Sequence, residues 1–150
     1  MQNPSHPIKI MLADDDEDDV LFFKDAFAEI KIKIEVVVAK DGEELMAYLQ
    51  KEDTALPTLL FLDLNMPRKN GMQCLQEIKQ IERLKDIAIA IYSTSASEED
   101  IEETFVKGAN VYIKKPSDFG VLKKMLQQVI SLNLQYLQSG LNRENFLLNL

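Results

Sequence analysis

Three short runs in this chain are apolar almost without interruption, and they leave few architectures open. Ile8 to Ala13 is broken only by Lys9, Leu59 to Leu64 only by Asp63, and Ile87 to Tyr92 by nothing. A strand that is apolar at nearly every position has both faces covered, as in a parallel sheet packed between helices. The segments between these runs have a different period. Val20, Phe23, Phe27 and Ile30 recur at helical spacing, and so do Met72, Leu75 and Ile78 within Gly71 to Ile81. Ile32, Ile34, Val36 and Val38 alternate as a strand does, with Asp41-Gly42 predicted as the turn that follows. Glu43 to Gln50 reads as a short helix carrying Leu45, Met46 and Leu49 inward, and Glu98 to Lys107 as a helix that Gly108 is placed to end. Val111 to Ile113 is a brief strand. A last helix is predicted from about Asp118 to Gln138, with Phe119, Leu122, Leu126, Val129 and Ile130 on one face. Five alternations of strand and helix describe an α/β sandwich, a parallel sheet with helices front and back.

Composition narrows what such a sandwich can do. At 150 residues the chain fits one domain and can bury a core without disulfides or metal staples. Lys and Arg number 17 against 25 Asp and Glu, a net charge of −8 that repels nucleic acid phosphates and anionic membranes. One cysteine, Cys74, excludes an internal disulfide and a Cys-rich zinc site, and with Met72 it reads as a packing residue. The one histidine, His6, lies in a tail (residues 1–7), which argues against Ser-His-Asp and multi-His metal catalysis. Met1 to Lys9 holds two prolines and no apolar run, so it is not a signal peptide, and no stretch approaches the ~20 apolar residues of a membrane span. A cytosolic protein is the expectation.

Right-handed crossovers bring the carboxyl end of every parallel strand to one edge of the sheet, where ligands bind in such folds. Asp14 and Asp15 follow the first strand, Asp63 ends the third, Ser93 closes the fourth, and Lys115 stands just past the fifth. Two carboxylates held ~5 Å apart repel by roughly 3 kcal/mol at an effective dielectric of 20. A hard, oxygen-seeking divalent ion resolves that repulsion, and Mg²⁺ suits few carboxylates with several retained waters. Asp63 is the best nucleophile, because it interrupts an apolar strand and an aspartate is ordinarily ionised at neutral pH, needing no general base to attack phosphorus. Lys115 and the Ser93 hydroxyl would meet the phosphoryl oxygens, while Asp14 and Asp15 suit metal holding. Of the remaining acids in the run to Asp19, Asp16 is predicted to cap a helix. Glu17, Asp18 and Asp19 read as solvated charges favouring its positive end.

These residues, in this order, carry a resemblance. The pair Asp14-Asp15, the run Asp63-Leu64-Asn65-Met66-Pro67 with Gly71 four positions on, Ser93 after an aliphatic strand, and Gly108 through Pro116 resemble the receiver domains of two-component response regulators. The resemblance covers Ile8 to about Ile130. It implies a flavodoxin-like (CheY-like) three-layer sandwich of strand order 2-1-3-4-5, an order carried by the resemblance and not read from periodicity. It implies that Asp63 is the phosphoacceptor for a sensor histidine kinase, with Asp15, Asp63 and the backbone carbonyl of Asn65 binding Mg²⁺ directly and Asp14 through water. Lys115 would grip the phosphoryl group, its bond to Pro116 being often cis in the family. Ser93 and Tyr112 would form the switch pair, Tyr112 turning inward as Ser93 moves. The positions of Asn65 and Ser95 would influence phosphoryl lifetime.

Beyond residue 130 an apolar extension (131–150) remains, with Leu132, Leu134, Leu137, Leu141, Phe146, Leu147, Leu148 and Leu150. Gly140 is predicted to break the helix and Asn142 to cap a further short one. Its expected place is against the domain or against a second copy, giving a homodimer. The absence of an output domain, the acid-rich first loop and the insert-like stretch Lys79 to Asp86 resemble stand-alone regulators that partner bacterial phytochrome-type kinases. Such a protein would signal through contacts with a downstream protein target and be no enzyme beyond its own phosphorylation chemistry. Two rivals stay open. One is a Mg²⁺-dependent phosphohydrolase of the haloacid-dehalogenase type, which prefers an acid where this chain has Asn65. The other is a flavin-binding electron carrier of similar architecture, which has no need for three carboxylates and Lys115.

Overall fold

The computed structural model describes residues 8–131 and 146–147. Five strands, β1 (Ile8–Ala13), β2 (Ile34–Ala39), β3 (Leu59–Leu62), β4 (Ala88–Ser93) and β5 (Val111–Lys114), alternate with five helices. These are α1 (Glu17–Ala28), α2 (Gly42–Leu49), α3 (Gly71–Gln80), α4 (Glu98–Val106) and α5 (Phe119–Ser131). All neighbouring strands pair in parallel, in the order β2-β1-β3-β4-β5. The strand order reverses at β1, so the crevice for a ligand opens between the carboxyl ends of β1 and β3.

Alternation along the strands divides the core in two. Met11, Leu60, Ile89 and Ile91 face α2, α3 and α4, where Leu45, Leu49, Leu75, Ile78 and Ile101 meet them. Ile10, Leu12, Phe61 and Tyr92 face α1 and α5, against Phe23, Phe27, Leu122, Leu126 and Val129. Phe23 anchors this second layer, edge-on to Phe61 at 5.0 Å and to Tyr92 at 5.7 Å, and burying one such ring contributes about 2–3 kcal/mol. Met125, absent from the predicted face of α5, is also buried there. β2 is an edge strand with its side chains mostly half-buried, and Ile32 falls outside it, exposed. Cys74 packs inside, where burial pushes its thiol up to about 11 and leaves it inert.

The helix ends show how the loops are fixed. Asp16 caps α1 as expected, its side chain accepting from the amides of Asp18 and Asp19. Asp41 and Gly42 are not a free turn: the Asp41 carboxylate accepts from the Glu44 amide and caps α2, of which Gly42 is the first residue. Asn70 and Gln73 form a reciprocal capping box on α3. Gly71 must be glycine, because any Cβ there would collide with the carbonyl oxygen of Asp63. Gly108 ends α4 in a left-handed conformation, φ 97°. The predicted continuation of α5 to Gln138, the Gly140 break, the Asn142 cap and the tail with His6 lie outside the described residues. Among the described residues no helix is long and apolar enough to cross a membrane.

Candidate functional site

Backbone ladder bonds deliver the predicted residues to one rim. The Asp14 amide donates to Ala39 O at 3.0 Å, the Asp63 amide to Ala13 O at 3.0 Å, and the Lys115 amide to Ser93 O at 2.8 Å. Asp14 is therefore tied to β2, Asp63 to β1, and Lys115 to β4. One carboxylate oxygen each from Asp14, Asp15 and Asp63 lies within 4.8 Å of the others. Asp14 and Asp63 are buried and Asp15 is exposed.

Lys115 stands in the middle. Its Nζ lies 2.8 Å from Asp14 Oδ2, 3.1 Å from Asp63 Oδ2 and 2.9 Å from Asp19 Oδ2, and 5.5 Å from the centre of the Tyr92 ring. Burial alone would lower its pKa. The close approach of the Asp14 carboxylate, the hydrogen bond to Asp19 and the charges of Asp63 and Asp14 outweigh that, and hold it above the ordinary lysine value. It is a permanent cation. Asp14 shows the opposite balance: burial pushes it up to about 6, against the lowering effects of Lys115 and of the Asp16 amide, which donates to Asp14 Oδ1 at 3.0 Å. One ammonium does not fully offset the cost of burying the Asp14 carboxylate.

That deficit identifies what fits. Asp14 Oδ2 is buried and, although close to Lys115, meets no hydrogen-bond geometry. An under-satisfied buried oxygen beside two further carboxylates, with no sulfur or imidazole among the donors, suits a hard divalent cation such as Mg²⁺ and not zinc. Asp63 Oδ1 accepts from the Asn65 amide at 3.1 Å, which fixes the carboxylate at the strand end.

The predicted switch pair sits beside this cluster. Ser93 is buried, and its Oγ accepts from the Ser95 amide at 3.2 Å. Tyr112 is already inward, fully buried, its hydroxyl donating to the Ser95 carbonyl at 2.6 Å. Burial, with Asp100 nearby, raises its pKa and keeps that hydroxyl a donor. The Lys115–Pro116 bond is trans, like every described peptide, so the cis form implied by resemblance is not adopted; Lys115 reaches the rim with its amide still on β4.

Asp19 is the residue that sequence reasoning missed. Its position in the acidic run reads as a solvated charge, yet it holds Lys115. The signal was present: a cap at Asp16 makes Asp19 the third residue of α1, one turn in and close to the rim that Lys115 was expected to occupy. Tyr92, under the Lys115 head group, stands in the sequence only as the end of an apolar run.

Comparison with known proteins agrees with this geometry. The profile of the family described as "Response regulator receiver domain" matches residues 10–127. Response regulator Rcp1 of Synechocystis sp. is 34% identical over 140 residues, covering 90% of this chain and 95% of Rcp1. Among solved structures, the phosphorylated cyanobacterial phytochrome response regulator RcpA matches with a TM-score of 0.77 at 35% identity, covering 83% of this chain and 91% of that one. The Mn²⁺-bound form of Rcp1 matches with a TM-score of 0.77 at 33% identity, covering 84% and 94%. The family match runs from within β1 into α5 and takes in every rim residue described above, and on that agreement of sequence and fold the chain belongs to the response regulator receiver domain family.

Proposed function

We propose that Asp63 accepts a phosphoryl group from the phosphohistidine of a sensor histidine kinase, and that this switches the surface of α4, β5 and α5 toward a downstream protein. The observation that carries the reading is Lys115 Nζ within 3.1 Å of Asp63 Oδ2, beside carboxylates within 4.8 Å of one another. Asp14, Asp15 and Asp63, with the backbone carbonyl of Asn65, would hold Mg²⁺, and the bound ion supplies positive charge opposite the phosphoryl oxygens. A carboxylate oxygen of Asp63 attacks phosphorus. The P–O bond forms as the P–N bond breaks, and the imidazole nitrogen leaves with the electron pair. Lys115 stabilises the transferring group and the Ser93 hydroxyl donates to it. A charge-assisted hydrogen bond of that kind is worth about 1.5–3 kcal/mol, enough to shift a two-state equilibrium roughly ten- to a hundredfold.

The phosphorylated state of RcpA and the Mn²⁺-bound form of Rcp1 support this chemistry, and the phytochrome relationship of RcpA supports a phytochrome-type kinase as donor. The hydrolase alternative expects an acid two places after the nucleophile, where Asn65 stands with its amide turned onto Asp63. Labelling with acetyl phosphate and Mg²⁺ tests the assignment. The wild-type chain takes up one phosphoryl group, and Asp63→Asn or chelation of the metal abolishes uptake. Undiminished labelling of Asp63→Asn refutes it.

A further inference from the structure

The face assigned to output is not bare. Phe146, far along the chain from the rim, is fully buried. Its ring lies edge-on to Phe105 of α4 at 5.3 Å and to Tyr112 of β5 at 6.2 Å. It belongs to the same packed cluster as Ile91, Ile101 and Ala109. Next to it, Leu147 pairs in parallel with Tyr112, along the outer edge of the last strand of the sheet.

We propose that Phe146 and Leu147 form an intramolecular latch, docked on α4 and the open edge of β5, that holds Tyr112 inward and couples the C-terminal segment to phosphorylation of Asp63. The proposal rests on the reading of Asp63 given above. The physical route is short. Phe146 packs on the Tyr112 ring, the Tyr112 hydroxyl donates to Ser95 O at 2.6 Å, and the Ser95 amide donates to Ser93 Oγ at 3.2 Å. Close-packed interiors have discrete arrangements and do not deform continuously. An outward Tyr112 leaves Phe146 without one of its two aromatic partners and loosens the packing that seats the neighbouring Leu147 beside β5. A docked latch and an inward Tyr112 are thus one state. Coupling is reciprocal, so whatever draws Ser93 toward the phosphoryl group tightens the latch, and the latch favours phosphoryl uptake to the same degree.

The test uses the full chain and beryllofluoride with Mg²⁺ as the phosphoryl mimic, followed by NMR. Phe146→Ala should bind it about fivefold or more weakly, while Phe146→Leu, which keeps the site filled, stays near wild type. In the wild-type chain, hydrogen exchange at the Leu147 amide should slow by about the same factor on binding, a readout that survives if Phe146→Ala folds poorly. Equal affinity in wild type and Phe146→Ala, with unchanged Leu147 exchange, overturns the latch and leaves the Asp63 reading intact. A wild-type chain that binds no beryllofluoride overturns the Asp63 reading and the coupling with it. Leu147 protection that vanishes on dilution assigns the segment to a second copy and overturns intramolecular docking.

Discussion

Lys115 is the charge around which the rim balances, and its partners divide by function. Asp19 touches Lys115 at 2.9 Å but is not among the carboxylates gathered within 4.8 Å, whereas Asp15 belongs to that group and faces solvent. Their neutral variants should therefore dissociate stability from metal binding. Asp19→Asn is expected to lower stability by about 0.5–1 kcal/mol, losing a part-exposed ion pair and an acid in the first turn of α1, with Mg²⁺ affinity within threefold of wild type. Asp15→Asn should cost no stability and lower Mg²⁺ affinity tenfold or more. Urea unfolding and a Mg²⁺ titration on each variant check the pair, and equal losses in both would contradict the division. Asp14, Asp15 and Asp63 were legible because an acid set in or just after an apolar run is expensive unless it is used, and Lys115 because it stands just past the fifth strand, at the same edge. Sequence reasoning could not separate buried Asp14 from exposed Asp15, adjacent members of one acidic run. Nor could it tell that Asp19 turns back to the rim, since that depends on where Lys115 ends.

At the level of elements, periodicity located every helix and strand, and the differences fall at their ends. Asp41-Gly42 was predicted as a turn because Asp bonds to nearby backbone amides in turns, and the same property makes it a helix cap. Both readings use one carboxylate, and only the next elements decide between them. Gly108 is the end that was legible, since Gly following a helical repeat is the residue that tolerates a left-handed backbone. The nearest atoms to a Cβ at Gly108 would be those of the Lys79 side chain, at ordinary contact distances of 3.4–3.5 Å. The cost of Gly108→Ala is therefore backbone strain at φ 97° and not collision. The variant is expected to lose about 1–2 kcal/mol. Urea unfolding should show a lower midpoint with unchanged slope, while phosphoryl uptake at the distant rim stays at the wild-type level.

At the scale of the molecule, the strand order decides what the site can be. Periodicity establishes five parallel strands but not their sequence across the sheet; that order came with the family resemblance, and the structure has it. With β1 beside β3, Asp14 and Asp15 meet Asp63, about fifty positions away in the chain. The place of the apolar extension was legible only in part for a related reason: an apolar tail states that it is buried, against the domain or a second copy, but not which face receives it. Because the carboxylates converge only when the sheet is formed, a divalent ion that binds them binds the folded state and not the unfolded chain. Mg²⁺ at a hundred times its dissociation constant should therefore add about 2.7 kcal/mol of stability, raising the unfolding temperature by roughly 5–10 °C for a domain of this size. General screening of the excess negative charge would also stabilise, but NaCl of matched ionic strength supplies that equally. The effect specific to the rim is the difference between the two salts, read by thermal unfolding. That difference should fall by half or more in Asp15→Asn, to about 1.4 kcal/mol or less at the same Mg²⁺ concentration, because a tenfold weaker site is then only ten times above its dissociation constant. Were it to persist there undiminished, the ion would be stabilising the chain from somewhere other than the crevice between β1 and β3.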